Sequence, residues 1–315
     1  MSGDSDVADV RVICGPTAAG KSAIALWLAA GMPAAIVSAD SRQIYRGFDV
    51  GTAKPTADEQ RRVPHRGIDV VDPRERYSAA RWADAANEWI DDARASGREP
   101  IVVGGTGLYL KALFDGLFQE PPLDPVRRAA LARELDRCTL DELRRWAAAL
   151  DPERAHLGRT QLLRSIEIAL LTGEQLSALH RDRARVSRWR PRYLLVSAGP
   201  ALNDRIGARI DTMFDHGWPE EVQRLMQTVP ADAPAWNATG YDAVRRMIAG
   251  ELSRNAAREQ ILVATRQYAK RQRTWFRHQL PAHLVTVVNP LAQGWDAIVE
   301  RWASTSSPLN DERAP

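Results

Sequence analysis

Cysteine is nearly absent from this chain of 315 residues, which holds only Cys14 and Cys138. The two lie far apart and match no metal-ligand or redox spacing, so they are expected as reduced, structural thiols. Long apolar runs are missing too. No stretch approaches the roughly 18 consecutive apolar residues of a spanning helix. Met1 to Val10 is polar and acidic, unlike a secretory leader, and a cytoplasmic protein without membrane attachment is expected. Lysine is scarce: only Lys21, Lys54, Lys111 and Lys270 among 43 basic residues. With 40 acidic residues against those 43, the net charge is only +3, which by itself implies no nucleic-acid partner.

Five short apolar runs read as buried strands: Val10 to Cys14, Ala34 to Ser38, Ile68 to Val71, Ile101 to Val103 and Tyr193 to Ser197. Helical patterns alternate with them. One is capped by Ser78, faces inward with Trp82, Ala86, Trp89, Ile90 and Ala93, and ends at Gly97. Such alternation predicts an α/β fold with a parallel sheet flanked by helices. From about Phe118 to Arg192 no strand pattern occurs. Asp124 before Pro125, the pair Thr139 and Glu142, and the run from Gln161 to Gly173 mark successive helices. An all-helical insertion over 118–192 is expected, with the core made of 1–117 and 193–315. The tail after Ser304 is polar.

Gly15-Pro16-Thr17-Ala18-Ala19-Gly20-Lys21-Ser22 fits G-x-x-x-x-G-K-S, with a strand before it and an apolar helix after it. In such a P-loop, backbone N–H groups and the helix N-terminus face phosphate oxygens, the lysine reaches the outer phosphate and the serine ligates magnesium. Read alone, it suggests a nucleotide such as ATP. Asp40 follows the second strand at the carboxyl edge of the sheet, where a carboxylate serves as general base, as magnesium outer shell or merely as a turn residue. The turn Gly104 to Tyr109 puts Thr106 at that same edge, offering a hydroxyl and a backbone donor. Arg205 and Arg209 share one face of a helix and suit a diphosphate, or else pair with Asp204 or Asp211. In a helix from about Ser253 to Phe276, Ala257, Ile261, Ala264, Tyr268 and Trp275 form one face. Arg266, Lys270, Arg273 and Arg277 form a basic rail opposite, about 16 Å long, spaced for successive phosphates. Arg271 falls on the apolar side and requires a partner.

The motifs Gly-Pro-Thr-Ala-Ala-Gly-Lys-Ser, Ala-Asp-Ser-Arg-Gln-Ile-Tyr-Arg, Gly-Thr-Ala-Lys-Pro, Gly-Gly-Thr-Gly-Leu-Tyr and Thr-Arg-Gln-Tyr-Ala-Lys-Arg-Gln-Arg-Thr-Trp occur here in that order. Together they resemble the bacterial tRNA dimethylallyltransferases, or tRNA isopentenylpyrophosphate transferases, over nearly the whole chain. The resemblance implies a P-loop NTPase-like core and transfer of dimethylallyl from dimethylallyl diphosphate to N6 of adenosine 37, beside the anticodon, with magnesium. It implies that residues Gly15 to Ser22 hold the donor diphosphate, with Ser22 at the metal. Asp40 becomes the base, and Thr106 and Arg209 bind the leaving diphosphate. Contacts to the tRNA anticodon stem-loop fall to Asp40, Ser41, Arg42, Gln43, Thr106, Arg127, Thr160, Gln161, Leu162, Leu163, Arg164, Gly240, Tyr241, Lys270, Arg271, Arg273 and Arg277, with the insertion as a clamp. Two departures stand out. Thr160-Gln161 replaces a common Gln-Arg pair, and Trp236-Asn237-Ala238-Thr239 precedes Gly240-Tyr241 where relatives show Ala-Ile. A monomer is expected. The competing reading is a P-loop kinase for a small molecule or nucleotide, which needs neither the basic rail nor the insertion; a third is a non-catalytic RNA-binding module.

Overall fold

The computed structural model describes residues 7–116, 123–182 and 187–305. The acidic segment Met1 to Asp6, the expected insertion start at Phe118 and the tail beyond Thr305 lie outside the described residues. Six strands form one sheet: β1 (Ala8–Cys14), β2 (Ala34–Ser38), β3 (His65–Arg66), β4 (Glu99–Gly104), β5 (Trp189–Val196) and β6 (Val285–Val288). Their order is β3-β2-β4-β1-β5-β6, and every neighbouring pair is parallel. The central strand β1 lies between β4 and β5, so the chain reverses its direction of winding beside β1, where an open parallel sheet forms its ligand crevice.

Helix α1 (Lys21–Ala30) and α3 (Ala79–Ala95) pack on β2 and β4. As expected, the Ser78 hydroxyl accepts the Arg81 N–H, and Trp82, Ala86, Ile90 and Ala93 are buried. The indole of Trp82 donates to the Ser38 carbonyl at 3.0 Å, tying the helix to the end of β2. The short α2 (Ala57–Arg62) opens on a Thr56 and Glu59 capping box, and α4 (Gly107–Lys111) follows β4.

The chain divides into two compact units, and the first interrupts itself after Phe114 and resumes at Arg188. The second, Asp115–Ser187, contains α5 (Pro125–Asp136), α6 (Leu140–Leu150), α7 (Arg159–Thr172) and α8 (Leu176–Asp182). Its helices begin where the capping residues placed them: Asp124 accepts the Arg127 N–H, and Thr139 and Glu142 form a reciprocal box. Gly173, at φ 77°, ends α7. Leu135, Leu143, Ala147, Leu162 and Ile166 are its core.

After β5 the first unit continues through α9 (Leu202–Asp215), α10 (Trp218–Thr228), α11 (Tyr241–Ile248), α12 (Arg254–Gln279) and α13 (Trp295–Ser304).

Two expectations need correction, and one strand has no counterpart among them. Ile68 to Val71 is not a strand: Gly67 and Asp69 have φ of 77° and 54°, which break an extended run, and only Val71 bridges to Tyr45. The strand β3 precedes it. Next, Trp189 to Arg192 belongs to β5 and not to the insertion, paired with Ala8 to Arg11 of β1. Its arginines are occupied locally: Arg190 pairs with Asp9, and Arg192 donates to the Trp302 carbonyl near the end of α13. Finally, β6 gave no signal strong enough to be anticipated, being four residues long at the sheet edge with Val287 exposed.

Candidate active site

The loop between β1 and α1 is shaped by backbone angles that few residue types tolerate. Gly15 has φ 140°, and a Cβ there would lie 2.4 Å from the Val196 carbonyl oxygen. Gly20, at φ 110°, caps α1. Inside the loop, Lys21 Nζ donates to the Pro16 carbonyl at 2.8 Å, and Arg205 Nε donates to the Ala18 carbonyl at 2.8 Å. Burial, then the charge of Arg209, pulls the Lys21 ammonium down to about 8 against the opposing pull of Asp40. A cavity of about 310 Å³ opens here, bounded by Ala18, Gly20, Lys21, Ser22, Arg205 and Arg209. It combines a helix N-terminus with three cations, a lining suited to a polyanion.

A second cavity, of about 290 Å³, adjoins the same side chains. Asp40, Arg42, Tyr268 and Arg271 form its polar part, and Ile206, Ile210, Met213, Trp218 and Ile261 its apolar part. Ala18 and Arg209 line both cavities. The Arg209 guanidinium is pulled below its usual pKa by burial, an effect that Asp40 opposes and Arg205 adds to. Asp40 Oδ1 accepts the Arg42 N–H at 2.8 Å, as in an Asx turn. Thr106 Oγ1 accepts the Ser41 N–H at 3.0 Å, which fixes the 40–42 turn. The Thr106 backbone N–H, expected as an anion donor, instead bonds the Ala39 carbonyl at 3.1 Å. The alternative pairing for the arginines does not form either, since Asp211 binds Arg258.

Several expected contact residues prove to be internal. Gln43 donates to the Thr52 and Ala53 carbonyls and accepts the Ser38 hydroxyl, so its amide holds a loop. Tyr241 is buried, and its hydroxyl donates to Glu221 Oε1 at 2.6 Å. Gly240, at φ 95°, lies where a Cβ would meet the Trp218 ring at 2.5 Å. Both therefore act through packing, and the proximity of Trp218 explains why glycine stands there. Leu162 lies fully inside the helical core, which removes it from any RNA surface, and Leu163 packs against that core. In the same unit Arg127, Thr160 and Gln161 are exposed, while Arg164 pairs with Glu167.

On α12 the rail residues Arg266, Lys270, Arg273 and Arg277 are exposed. The buried face is Ala257, Ile261, Leu262, Ala269, Gln272 and Phe276, turned slightly from the expected one; Ala264, Tyr268 and Trp275 are half-buried. Arg271 is exposed rather than on the apolar side, with its guanidinium 5.9 Å from the Tyr268 ring centroid.

Two residues were not foreseen. Gln272 accepts the Thr17 N–H at 2.8 Å and donates to the Gly105 carbonyl at 2.9 Å. Glu221, buried in α10, accepts backbone N–H groups from Asp49 at 2.9 Å and Val50 at 2.6 Å in addition to the Tyr241 hydroxyl. Each was detectable as a polar residue in an apolar phase of its helix: Gln272 follows Ile261 by three turns, and Glu221 lies beside Trp218, Val222 and Leu225.

Fold and site thus define a P-loop α/β protein whose polyanion cavity opens on a carboxylate-bearing, half-apolar chamber. The chain belongs to the IPP transferase family, whose model matches residues 43–279; a second model, Isopentenyl transferase, matches residues 8–69. A protein of Gloeobacter violaceus named tRNA dimethylallyltransferase is 43% identical over 288 residues, covering 87% of this chain and 91% of the relative. The crystal structure of a tRNA delta(2)-isopentenylpyrophosphate transferase from Staphylococcus epidermidis is 30% identical with a TM-score of 0.66, covering 94% of this chain and 97% of that one. A eukaryotic dimethylallyltransferase acting on tRNA shares the fold, with a TM-score of 0.79 at 24% identity, over 94% of this chain and 77% of that one. Among the described residues, no helix is long and apolar enough to cross a membrane.

Proposed function

We propose that this chain transfers the dimethylallyl group of dimethylallyl diphosphate to N6 of adenosine 37, beside the anticodon of tRNA, and releases diphosphate. The observation that carries the reading is the sharing of Arg209 and Ala18 by the polyanion cavity and the Asp40 chamber. A donor whose diphosphate lies against residues Gly15 to Ser22 then presents its allylic carbon toward Asp40. Curated relatives at about 40% identity carry the corresponding name.

The adenine amine is a weak nucleophile because its lone pair is delocalised into the ring. As nitrogen attacks the allylic carbon, the carbon–oxygen bond breaks and diphosphate departs with the electron pair. Asp40 takes the amine proton, a contribution on the order of 10²–10⁴ in rate for a positioned base. Lys21, Arg205 and Arg209 neutralise the charge that grows on the leaving group. Thr106 positions the reaction by holding the turn that carries Asp40.

Magnesium fits this donor set in one manner. Among the described residues no group of three His, Cys, Asp or Glu side chains is arranged to hold a metal. Magnesium commonly binds through substrate phosphates with one or two protein oxygens, and the Ser22 hydroxyl at the cavity wall would supply one. There it would add charge neutralisation on the leaving diphosphate.

The acceptor adenine must leave the stack of the anticodon loop, at a cost of a few kcal/mol recovered by RNA contacts. Arg266, Lys270, Arg273 and Arg277 supply phosphate contacts, and Ser41, Arg42 and Arg271 line the chamber mouth. Arg127, Thr160, Gln161 and Arg164 on the helical unit add further RNA contacts. The protein acts as a monomer in this reading. Mass spectra of tRNA nucleosides from cells with and without the gene test it. Dimethylallyladenosine, or a nucleoside made from it, is expected only when the gene is present, and identical spectra would sink the proposal.

A further inference from the structure

Helix α12 carries two chemistries one residue apart. Arg271 and Arg273 are exposed, while Gln272 between them is only 6% exposed. The Gln272 amide is bonded at both ends to different loops of the site: Thr17 in the P-loop at 2.8 Å and Gly105 in the glycine turn at 2.9 Å. One turn earlier, the half-buried Tyr268 lines the Asp40 chamber. Nearly one turn later, Trp275 packs so closely on Gly107 that a Cβ there would lie 2.3 Å from the indole. A single helix therefore grips both anion loops by residues spaced for one face, while its other face is cationic.

Such a grip holds only while the helix and both loops keep this spacing. A hydrogen bond of 2.8 Å is lost if the helix shifts by about 1 Å, and the Thr17 N–H then loses its partner. The shape of the P-loop and the placement of α12 are thus one equilibrium. A ligand that fixes either biases the other.

We propose that Gln272 is a positioning residue that couples RNA bound along the α12 rail to the diphosphate loop, so that each ligand tightens the other. The coupling rests on the RNA-acceptor reading above but goes beyond it. It locates the communication in one buried amide, and it predicts that a non-reacting fragment of the donor feels it.

The test uses the full chain with magnesium and inorganic diphosphate as the probe, titrated with and without an unmodified anticodon stem-loop RNA. Wild-type protein is expected to bind diphosphate on the order of tenfold more tightly when RNA is present. In Gln272→Ala that ratio collapses to about one, while RNA affinity stays within about twofold because the rail is intact. Gln272→Glu keeps an acceptor for Thr17 but loses the donor to Gly105, and retains an intermediate ratio. If Gln272→Ala unfolds, Gln272→Glu carries the test. A wild-type ratio of about one, or an unchanged ratio in both variants, overturns the coupling and leaves the proposed activity standing. Failure of wild-type protein to bind the RNA overturns both.

Discussion

At the carboxyl edge of the sheet, charges are taken out of water and bound by the backbone. In the helical unit many remain in water and pair with near neighbours, although Asp151 is buried and accepts from the Ser177 N–H and hydroxyl. Glu221 is 3% exposed, and Lys54 reaches both Asp49 and Asp69 with its own side chain 3% exposed. Arg137 with Glu134 and Arg144 with Asp141 are exposed pairs three residues apart on helices. Buried charges fix a geometry and are costly to disturb, whereas exposed pairs contribute at most about 1 kcal/mol and leave a surface free to exchange partners. The sheet edge thus holds its charges in fixed places, whereas the helical unit presents interspersed charges of both signs in pairs that can exchange partners.

Breaking each region in turn sharpens that contrast. Arg209→Ala should lower single-turnover transfer by on the order of 10²–10³ at saturating ligands, measured by quenched-flow, since it removes a preorganised charge between the two cavities. An effect confined to ligand affinity would show that Arg209 binds without stabilising the departing diphosphate. Leu162→Ala should destabilise the helical unit by about 2–5 kcal/mol in urea melts followed by hydrogen exchange, with the sheet protected as before. Loss of protection throughout would mean that the units do not melt separately. Glu221→Ala should cost about 3 kcal/mol by leaving buried N–H groups and the Tyr241 hydroxyl without their acceptor. It should also expose Asp49 to Gly51 to exchange; unaltered protection there would contradict the role of Glu221.

A smaller effect follows from Lys21. Its ammonium is lowered to about 8, so in the free protein it is charged below that pH and neutral above it. Affinity for inorganic diphosphate should therefore fall by up to about tenfold per pH unit above 8, relative to Lys21→Arg, which stays charged. Parallel profiles for the two proteins in calorimetry would rule this out. Smallest of all, Arg137→Ala should change stability by under about 1 kcal/mol.

Legibility in the sequence followed the range of the interactions. Ser78, Asp124, Thr139 and Ser253 start helices through bonds to residues three positions on, so local pattern sufficed. The Gly15 to Ser22 loop was equally local. Residues that act across long separations were not legible in the same way. Glu221 reaches back 172 positions to Asp49, and Gln272 reaches 255 positions to Thr17. Tyr241 and Leu162 read as contact residues in the sequence, but the Tyr241 hydroxyl is bound to Glu221 and Leu162 is buried. The arginine-rich Trp189 to Arg192 reads as the end of the insertion because the groups that bind its arginines, Asp9 and the Trp302 carbonyl, lie far away in the chain.

The central claim is that chemistry resides at the sheet edge while the helical unit only holds RNA. It is tested most directly by single-turnover dimethylallyl transfer to unmodified tRNA, with RNA affinity measured in parallel, for Asp40→Asn and Arg127→Ala. Asp40→Asn should lose on the order of 10²–10⁴ in rate with RNA affinity retained, and Arg127→Ala should weaken RNA binding with the saturated rate unchanged. Full transfer by Asp40→Asn, or a saturated rate that falls in Arg127→Ala, would contradict it.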